Sequence, residues 1–394
     1  MTAPATTASA SAPEHRSTPV IAGVVTAIVG FSSAFVVVLA GLTAVGASDD
    51  QAASGLLTVC VTQALGMLWL SLRHRTPLTL AWSTPGAALL VSTGAVDGGW
   101  AAAVGAFLVV AGLIVLTGLW PRLGDLVAAI PPSLARAMLA GVLLPLCLAP
   151  VTALADSPGL VAPVVLAWLA MQRISKRWAV PIALLAALTV VIVEAGSNVS
   201  ASDLVPALTW TTPHWTWPAI IGIALPMYVV TMASQNVPGV AVMASFGYRV
   251  PWGETMSVTG VGTALGAPFG GHAINLAAIT AALAAGPDAG EDESRRWIAS
   301  VSASATYLVL AVASAAFAAL VAVAPAEVIQ AAAGLALLGA LAASLSGALE
   351  DPAEREPAMI TFLVAASGIT VLGVGGAFWA LVAGLVARWA LPRS

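Results

Sequence analysis

Long apolar runs separated by short polar breaks dominate the chain. A spanning helix needs about 20 apolar residues. Marking the runs predicts spans at 19–45, 52–72, 78–94, 100–120, 132–155, 158–172, 179–195, 218–237, 252–267, 273–286, 297–323, 326–348, 357–373 and 375–391. The pattern therefore predicts an all-helical integral membrane protein of about fourteen transmembrane spans, several of them short. Residues 1–18, rich in Ala, Ser, Thr and Pro, read as a disordered cytoplasmic tail. The first apolar run continues into a full span, so no cleavable signal is expected.

Charge placement tests this count independently, because cytoplasmic loops collect Lys and Arg. With the N-terminus inside, the even-numbered loops receive Arg73 and Arg75, Arg122, the Arg173–Lys176–Arg177 group, Arg249, the Arg295–Arg296 pair and Arg355. Arg136 lies just inside span 5, Arg16 opens the chain, and Arg388 and Arg393 close it, so every basic residue falls on one side. The opposite loops hold Asp49, Asp50, Asp97, Asp156 and Asp203 and no cation. Both termini are then cytoplasmic in a multi-pass protein of the cell membrane.

Fourteen spans suggest two sevens: 19–195 as a first repeat, 196–217 as an extracytoplasmic loop, and 218–394 as a second repeat. "LAWSTPGAALL" (80–90) in span 3 resembles "GGHAINLAAIT" (270–280) in span 10, and "PPSLARAMLAGVLLP" (131–145) resembles "APAEVIQAAAGLALLG" (324–339). An odd number of spans per repeat inverts the second copy. Inverted repeats with interrupted helices are a transporter architecture, with the site near the midplane.

Two spans carry the interruptions. Proline disfavours helix in the residue before it, so Ser83-Thr84-Pro85-Gly86 predicts a helix starting near Pro85 with Ser83 or Thr84 as its cap. Gly270-Gly271 breaks span 10 and predicts a second helix starting near His272 or Ala273. Two half-helix N-termini deep in a bilayer would present amide hydrogens and positive dipole ends to an anion, at Gly86 and Ala273. Either break could instead be an ordinary kink filled by its neighbours. In span 8, Gln235 and Asn236 are adjacent amides, which tend to face an interior or a cavity. Tyr228, Met227 and Met232 of that span, with Trp82 and Phe269, are candidate apolar walls for an aromatic ligand.

Composition narrows the function class. The chain is 59% hydrophobic and 8% charged, where soluble domains carry about 25% charged residues. A net charge of −4 suggests no nucleic-acid partner; the surrounding partner is the lipid bilayer. Cys60 and Cys147 lack metal-ligand spacing, so neither a metal nor another cofactor is expected. No HExxH, GxSxG or Asp-rich diphosphate motif occurs, which argues against an enzyme.

The segments around 226–240 and 252–280 resemble the benzoate:proton symporter family (BenE). "SQNVPG" and "GAPFGGHAINLAAIT" carry the resemblance, which extends over essentially the whole chain. That family is similar in turn to nucleobase–ascorbate transporters such as the uracil permeases. The resemblance implies seven-plus-seven inverted repeats with a short strand and a half-helix in each of spans 3 and 10. It also implies a core domain from spans 1–4 and 8–11 and a gate domain from spans 5–7 and 12–14, with a possible homodimer. Uracil permeases have Glu-His-Val-Gly where this chain has Gln235-Asn236-Val237-Pro238, and Gly-Glu-Asn-Ile-Gly where it has Gly271-His272-Ala273-Ile274-Asn275. Gln235 and His272 thus replace two glutamates. A fixed carboxylate would repel an ionised substrate by several kcal/mol at low dielectric, so the replacement favours a carboxylate over a nucleobase.

The resemblance implies import of benzoate or a similar aromatic carboxylate by proton symport, with elevator- or rocking-type alternating access. An anion uniporter or channel, or a carrier of another small organic anion, is the alternative. Ser83, Thr84, Gly86, Tyr228, Gln235, His272, Ala273 and Asn275 are the candidate substrate contacts. His272 is the candidate proton carrier, since histidine titrates near physiological pH and a bound proton and a bound anion favour each other; it could also be a neutral hydrogen-bonding residue. Glu254 is second choice. Glu194 and Glu327 read as interfacial, and Glu350, Asp351, Glu354 and Glu356 as a solvated loop.

Overall fold

The computed structural model describes residues 17–120, 122–123, 130–196, 199–278 and 280–391. The tail expected over 1–18 lies outside the described residues except for Ser17 and Thr18, and Thr18 already opens the first helix. Arg16 and Arg393 of the charge pattern also lie outside them.

In chain order the elements are α1 (Thr18–Ser32), α2 (Phe35–Ala44), α3 (Asp49–His74), β1 (Leu80–Trp82), α4 (Thr84–Thr93), α5 (Gly99–Leu119), α6 (Pro132–Asp156), α7 (Pro158–Ile174) and α8 (Lys176–Ala195). The second half runs α9 (Trp217–Ser245), α10 (Trp252–Gly266), β2 (Ile274–Leu276), α11 (Ala281–Ala285), α12 (Trp297–Val312), α13 (Ser314–Ala322) and α14 (Ala326–Ala348). It closes with α15 (Arg355–Ala366), β3 (Thr370–Val371), β4 (Val374–Gly375) and α16 (Gly376–Ala390). Helix α9 contains two π-helical stretches, Ile220–Ala224 and Met232–Asn236. Among the described residues seven helices are long and apolar enough to cross a membrane, with α1 and α2 counted together as one span (Thr18–Ala44), and an eighth if α12 and α13, bent by 49°, are one span. The remaining apolar helices are shorter, at about 1.5 Å of rise per residue.

The helices fall into two packed groups. In one, α1 lies on α12, α12 on α3, and α10 on α5 and α3, with α2 on α4. In the other, α6 packs on α14 and α15, α7 on α8, α14 on both α7 and α8, and α15 on α16. Small residues set the close approaches, as is common where lipid supplies no hydrophobic drive between helices. Gly334 of α14 sits against the Leu146 carbonyl and Pro150 of α6, and Gly23 of α1 against the Ala299 carbonyl of α12.

Candidate functional site

The two short strands pair antiparallel, with Leu80 opposite Leu276, Ala81 opposite Asn275 and Trp82 opposite Ile274. The ladder extends at both ends. The Ser83 amide donates to the Ala273 carbonyl (2.8 Å), and the Ala277 amide to the Thr79 carbonyl (2.9 Å). In such a pair alternate amides point away from the partner strand. Side chains receive those of β2: the Ile274 amide donates to Oγ1 of Thr263 (3.1 Å) and the Leu276 amide to Oδ1 of Asn236 (2.9 Å). Irregular backbone within a membrane fold needs such partners.

Helix α4 starts where the Ser-Thr-Pro-Gly pattern predicts. Ser83 is its extended N-cap, and Oγ accepts the Gly86 amide at 3.1 Å. The same Oγ shares a hydrogen bond with Thr231 Oγ1 of α9 at 2.7 Å. Span 10 has the short strand before a helix that the resemblance implies, but the helix start read from its glycines is not met. No helix begins at His272 or Ala273; both precede strand β2, and the helix begins only at Ala281. The reason is local: from Ala273 to Ala277 the backbone bonds β1 on one edge and Thr263 and Asn236 on the other. The amides expected to meet an anion at Gly86 and Ala273 must also be corrected. Gly86 donates to Ser83, and Ala273 is wholly buried beside the strand pair.

A cavity of about 820 Å³ opens beside the strand pair. Of the expected residues, Trp82, Thr84 and Gln235 line it. The others lie behind this wall or elsewhere. Ser83 is buried as the cap, and Gly86 faces Met227. Tyr228 bonds Thr117 of α5, and Met232 offers its sulfur to Asn236 Nδ2 at 3.1 Å. Asn275 Nδ2 donates to the Leu276 carbonyl (2.9 Å), leaving Oδ1 buried without a partner. Phe269 stands apart, edge-to-face with Trp210 at 5.2 Å. Glu254 is not in the cavity either. Its oxygens take Trp69 Nε1 and Arg73 Nε at 3.0 Å and His74 Nε2 at 2.9 Å, clasping α10 to α3.

His272 is buried, with Nε2 3.2 Å from the Ser83 carbonyl. A carbonyl only accepts, so Nε2 carries the hydrogen. Nδ1 is buried with no partner. His272 therefore touches the backbone of the α4 cap rather than the cavity.

Other lining residues were not legible as site residues. Tyr307 of α12 forms an aromatic corner with Trp82, edge-to-face at 6.0 Å, and Phe31 backs Trp82 at 5.8 Å. Gly30 and Thr280 complete that corner: a Cβ on Gly30 would overlap the Tyr307 hydroxyl and approach Thr280 Cγ2 to 3.3 Å. Leu139, Leu143 and Leu337 supply an apolar wall from the other helix group. At the basic end stand Arg136, Lys176 and Arg177. No group of side chains able to hold a metal occurs among the described residues.

A many-helix membrane fold with a broken-helix cavity between two helix groups defines a membrane transport protein. The chain belongs to the benzoate membrane transport protein family (BenE), which it matches over residues 14–389. It is 38% identical over 367 residues to the inner membrane protein YdcO of Escherichia coli, covering 92% of this chain and 93% of that one. It is 30% identical over 374 residues to the benzoate membrane transport protein of Acinetobacter baylyi, covering 95% of each. In fold it is similar to the transmembrane domain of the cyanobacterial bicarbonate transporter BicA, with TM-score 0.59, 15% identity, and 93% and 97% of the two chains covered. It is also similar to the murine anion transporter Slc26a9 in its inward-facing state, with TM-score 0.64, 11% identity, and 96% of this chain and 68% of that one covered.

Proposed function

We propose that the protein imports benzoate, or a similar aromatic carboxylate, with a proton across the inner membrane. The cavity is the observation that carries this reading. Trp82 and Tyr307 offer aromatic surface to a flat ring, while the Thr84 hydroxyl and the Gln235 amide offer donors to a carboxylate. The positive end of α4 reinforces them. The benzoate transporter of Acinetobacter baylyi, alike along nearly its whole length, supports the same substrate.

The helix groups are then a core, spans 1–4 and 8–11, and a gate, spans 5–7 and 12–14. Six further crossings bring the eight long ones to fourteen: α7, α10, α15, α16 and the two strand-plus-half-helix segments. The antiparallel pairing of β1 with β2 supports an inverted repeat. Kinship with the nucleobase–ascorbate transporters, the cytoplasmic placement of both termini and a homodimer belong to the same proposal. That the cavity lining includes Arg136, Lys176 and Arg177 of the basic end supports an inward-facing state within the same reading.

His272 is the proposed proton carrier, acting through the α4 cap rather than by touching substrate. A proton on Nδ1 would place positive charge behind Ser83 and favour an anion at Thr84, and the anion would favour the proton in return. The inorganic-anion alternative draws on the likeness to BicA and Slc26a9; the apolar, aromatic walls argue against it. Uptake of labelled benzoate into proteoliposomes, with and without an inward proton gradient, tests the whole reading. Accumulation driven by the gradient and competed by benzoate analogues but not by bicarbonate or uracil is expected. Flux that never exceeds equilibrium would remove the symport mechanism. His272→Gln should abolish accumulation while leaving benzoate exchange measurable.

A further inference from the structure

The aromatic corner of the cavity has two unequal walls. One is rigid. Trp82 is backed edge-to-face by Phe31, which stacks on Phe35 at 5.0 Å and meets Phe317 at 5.0 Å. Interlocked side chains at crystal-like density yield little, so a ligand ring gains no depth by moving Trp82. The other wall is Tyr307, edge-to-face with Trp82 at 6.0 Å. Its place depends on a residue without a side chain.

Gly30 of α1 and Thr280, just before α11, line the cavity at this point. Gly30 lies within a helix and has no positive φ, so the backbone gives no reason for a residue that weakens helices. The space beside it gives one. A Cβ on Gly30 would overlap the Tyr307 hydroxyl and approach Thr280 Cγ2 to 3.3 Å, yet it would stand 3.6 Å from Tyr307 Cζ, an ordinary contact. The conflict is therefore with the hydroxyl and not with the ring. An alanine facing a phenylalanine would fill this space without burying a polar group. Gln63 of α3 places its wholly buried amide beside the same hydroxyl, and that amide has no hydrogen-bond partner elsewhere. A polar niche thus sits at the far end of an otherwise aromatic corner.

We infer that Gly30 and Tyr307 are specificity-determining residues: together they fix the depth of the corner and restrict the substrate to aryl carboxylates whose ring edge opposite the carboxylate is bare. A ring whose carboxylate meets Thr84, two residues from Trp82, turns that opposite edge toward the corner. The aryl carboxylate itself rests on the transport reading above; the limit on depth rests on the Gly30–Tyr307 contact.

The rise in melting temperature of the purified full chain, titrated with benzoate, 4-methylbenzoate and 4-hydroxybenzoate, tests this, with proteoliposome uptake measured beside it. One methyl group in an apolar pocket changes recognition about 10–200-fold, so wild type should need at least about tenfold more 4-methylbenzoate than benzoate for the same rise. Gly30→Ala, which drives the hydroxyl into the corner, should weaken benzoate by a similar factor. Tyr307→Phe should narrow the gap between benzoate and 4-hydroxybenzoate severalfold, the ligand hydroxyl taking the vacated place beside Gln63. Gly30→Ala combined with Tyr307→Phe should restore benzoate and reopen that gap, because the added methyl fills the niche. A purely structural role would lower the melting temperature without ligand and leave these ratios unmoved. Equal response of wild type to benzoate and 4-methylbenzoate, unchanged ratios in Tyr307→Phe, or no rescue in the double variant overturns the inference. If Gly30→Ala does not fold, the Tyr307→Phe ratios decide alone. Benzoate uptake without these ratios sinks the corner and leaves the import reading standing, whereas the ratios in binding without uptake do the reverse.

Discussion

At the scale of single residues, Asn236 and Ser83 hold the strand pair in place, the first through a contact distant in sequence and the second through a local cap. Asn236 caps the outward Leu276 amide at 2.9 Å, forty residues along the chain. Asn236→Leu should leave that buried amide unpaired, at a cost of about 1–3 kcal/mol. A lower melting temperature in detergent and weaker benzoate binding are expected; an unchanged melting temperature would refute the role. Ser83→Ala removes the α4 cap, worth about 1 kcal/mol, together with the Thr231 contact. It should raise the KM for uptake while leaving protein in the membrane, and wild-type KM would show that the cap does not shape the site. The cap was readable because a Ser-Thr-Pro-Gly string is a local signal. Asn236 read only as a polar residue in an apolar helix, and Thr263 not at all, since their partners come from elsewhere in the chain. His272 stood out by residue type, yet its partner, the Ser83 carbonyl, is a contact that spacing does not encode.

At the scale of elements, strands of three residues leave no periodic signature. Span 10 accordingly read as a helix from its glycines, whereas the chain stays extended to Leu276 and coils only at Ala281. The glycine of "SQNVPG" gains its meaning here. A Cβ on Gly239 would come within 2.8 Å of the Ala277 carbonyl and 2.9 Å of Leu276 Cγ, so this glycine lets α9 lie directly against the end of β2. Close helix approach through small residues is the usual device in membrane folds. Gly239→Val should push α9 from the strand pair and abolish benzoate uptake, with the protein still inserted and monodisperse. Normal uptake by that variant would show that α9 and β2 need not touch. The lining drawn from α1, α6, α7, α8, α12 and α14 was the least legible part. Each contributes residues that look like ordinary core or loop until the helices are assembled.

At the scale of the whole molecule, alternating access requires the two helix groups to move against each other. Opposite the basic end they are joined by the β3–β4 hairpin, whose two-residue turn at Leu372-Gly373 has positive φ at both positions, as such tight hairpins require. Its base reaches the end of α4: a Cβ on Gly375 would lie 3.5 Å from Thr93 Cγ2 and 3.7 Å from Thr93 Cα. Thr93 belongs to the proposed core and Gly375 to the proposed gate, so this contact must open whenever the site turns outward. Gly375 itself has an ordinary φ of −68° and accepts a side chain. A sulfur at position 93 would take the place of Thr93 Cγ2 or Oγ1, each 3.5 Å from that Cβ, close enough for a disulfide to form with a small adjustment, and the native Cys60 and Cys147 are buried. Thr93→Cys combined with Gly375→Cys should therefore cross-link under oxidation and stop benzoate uptake, and reduction should restore it. Each single variant should transport under both conditions. If the cross-linked protein still carries benzoate at the reduced rate, the two groups do not part at this seam, and a fixed pathway replaces the moving core.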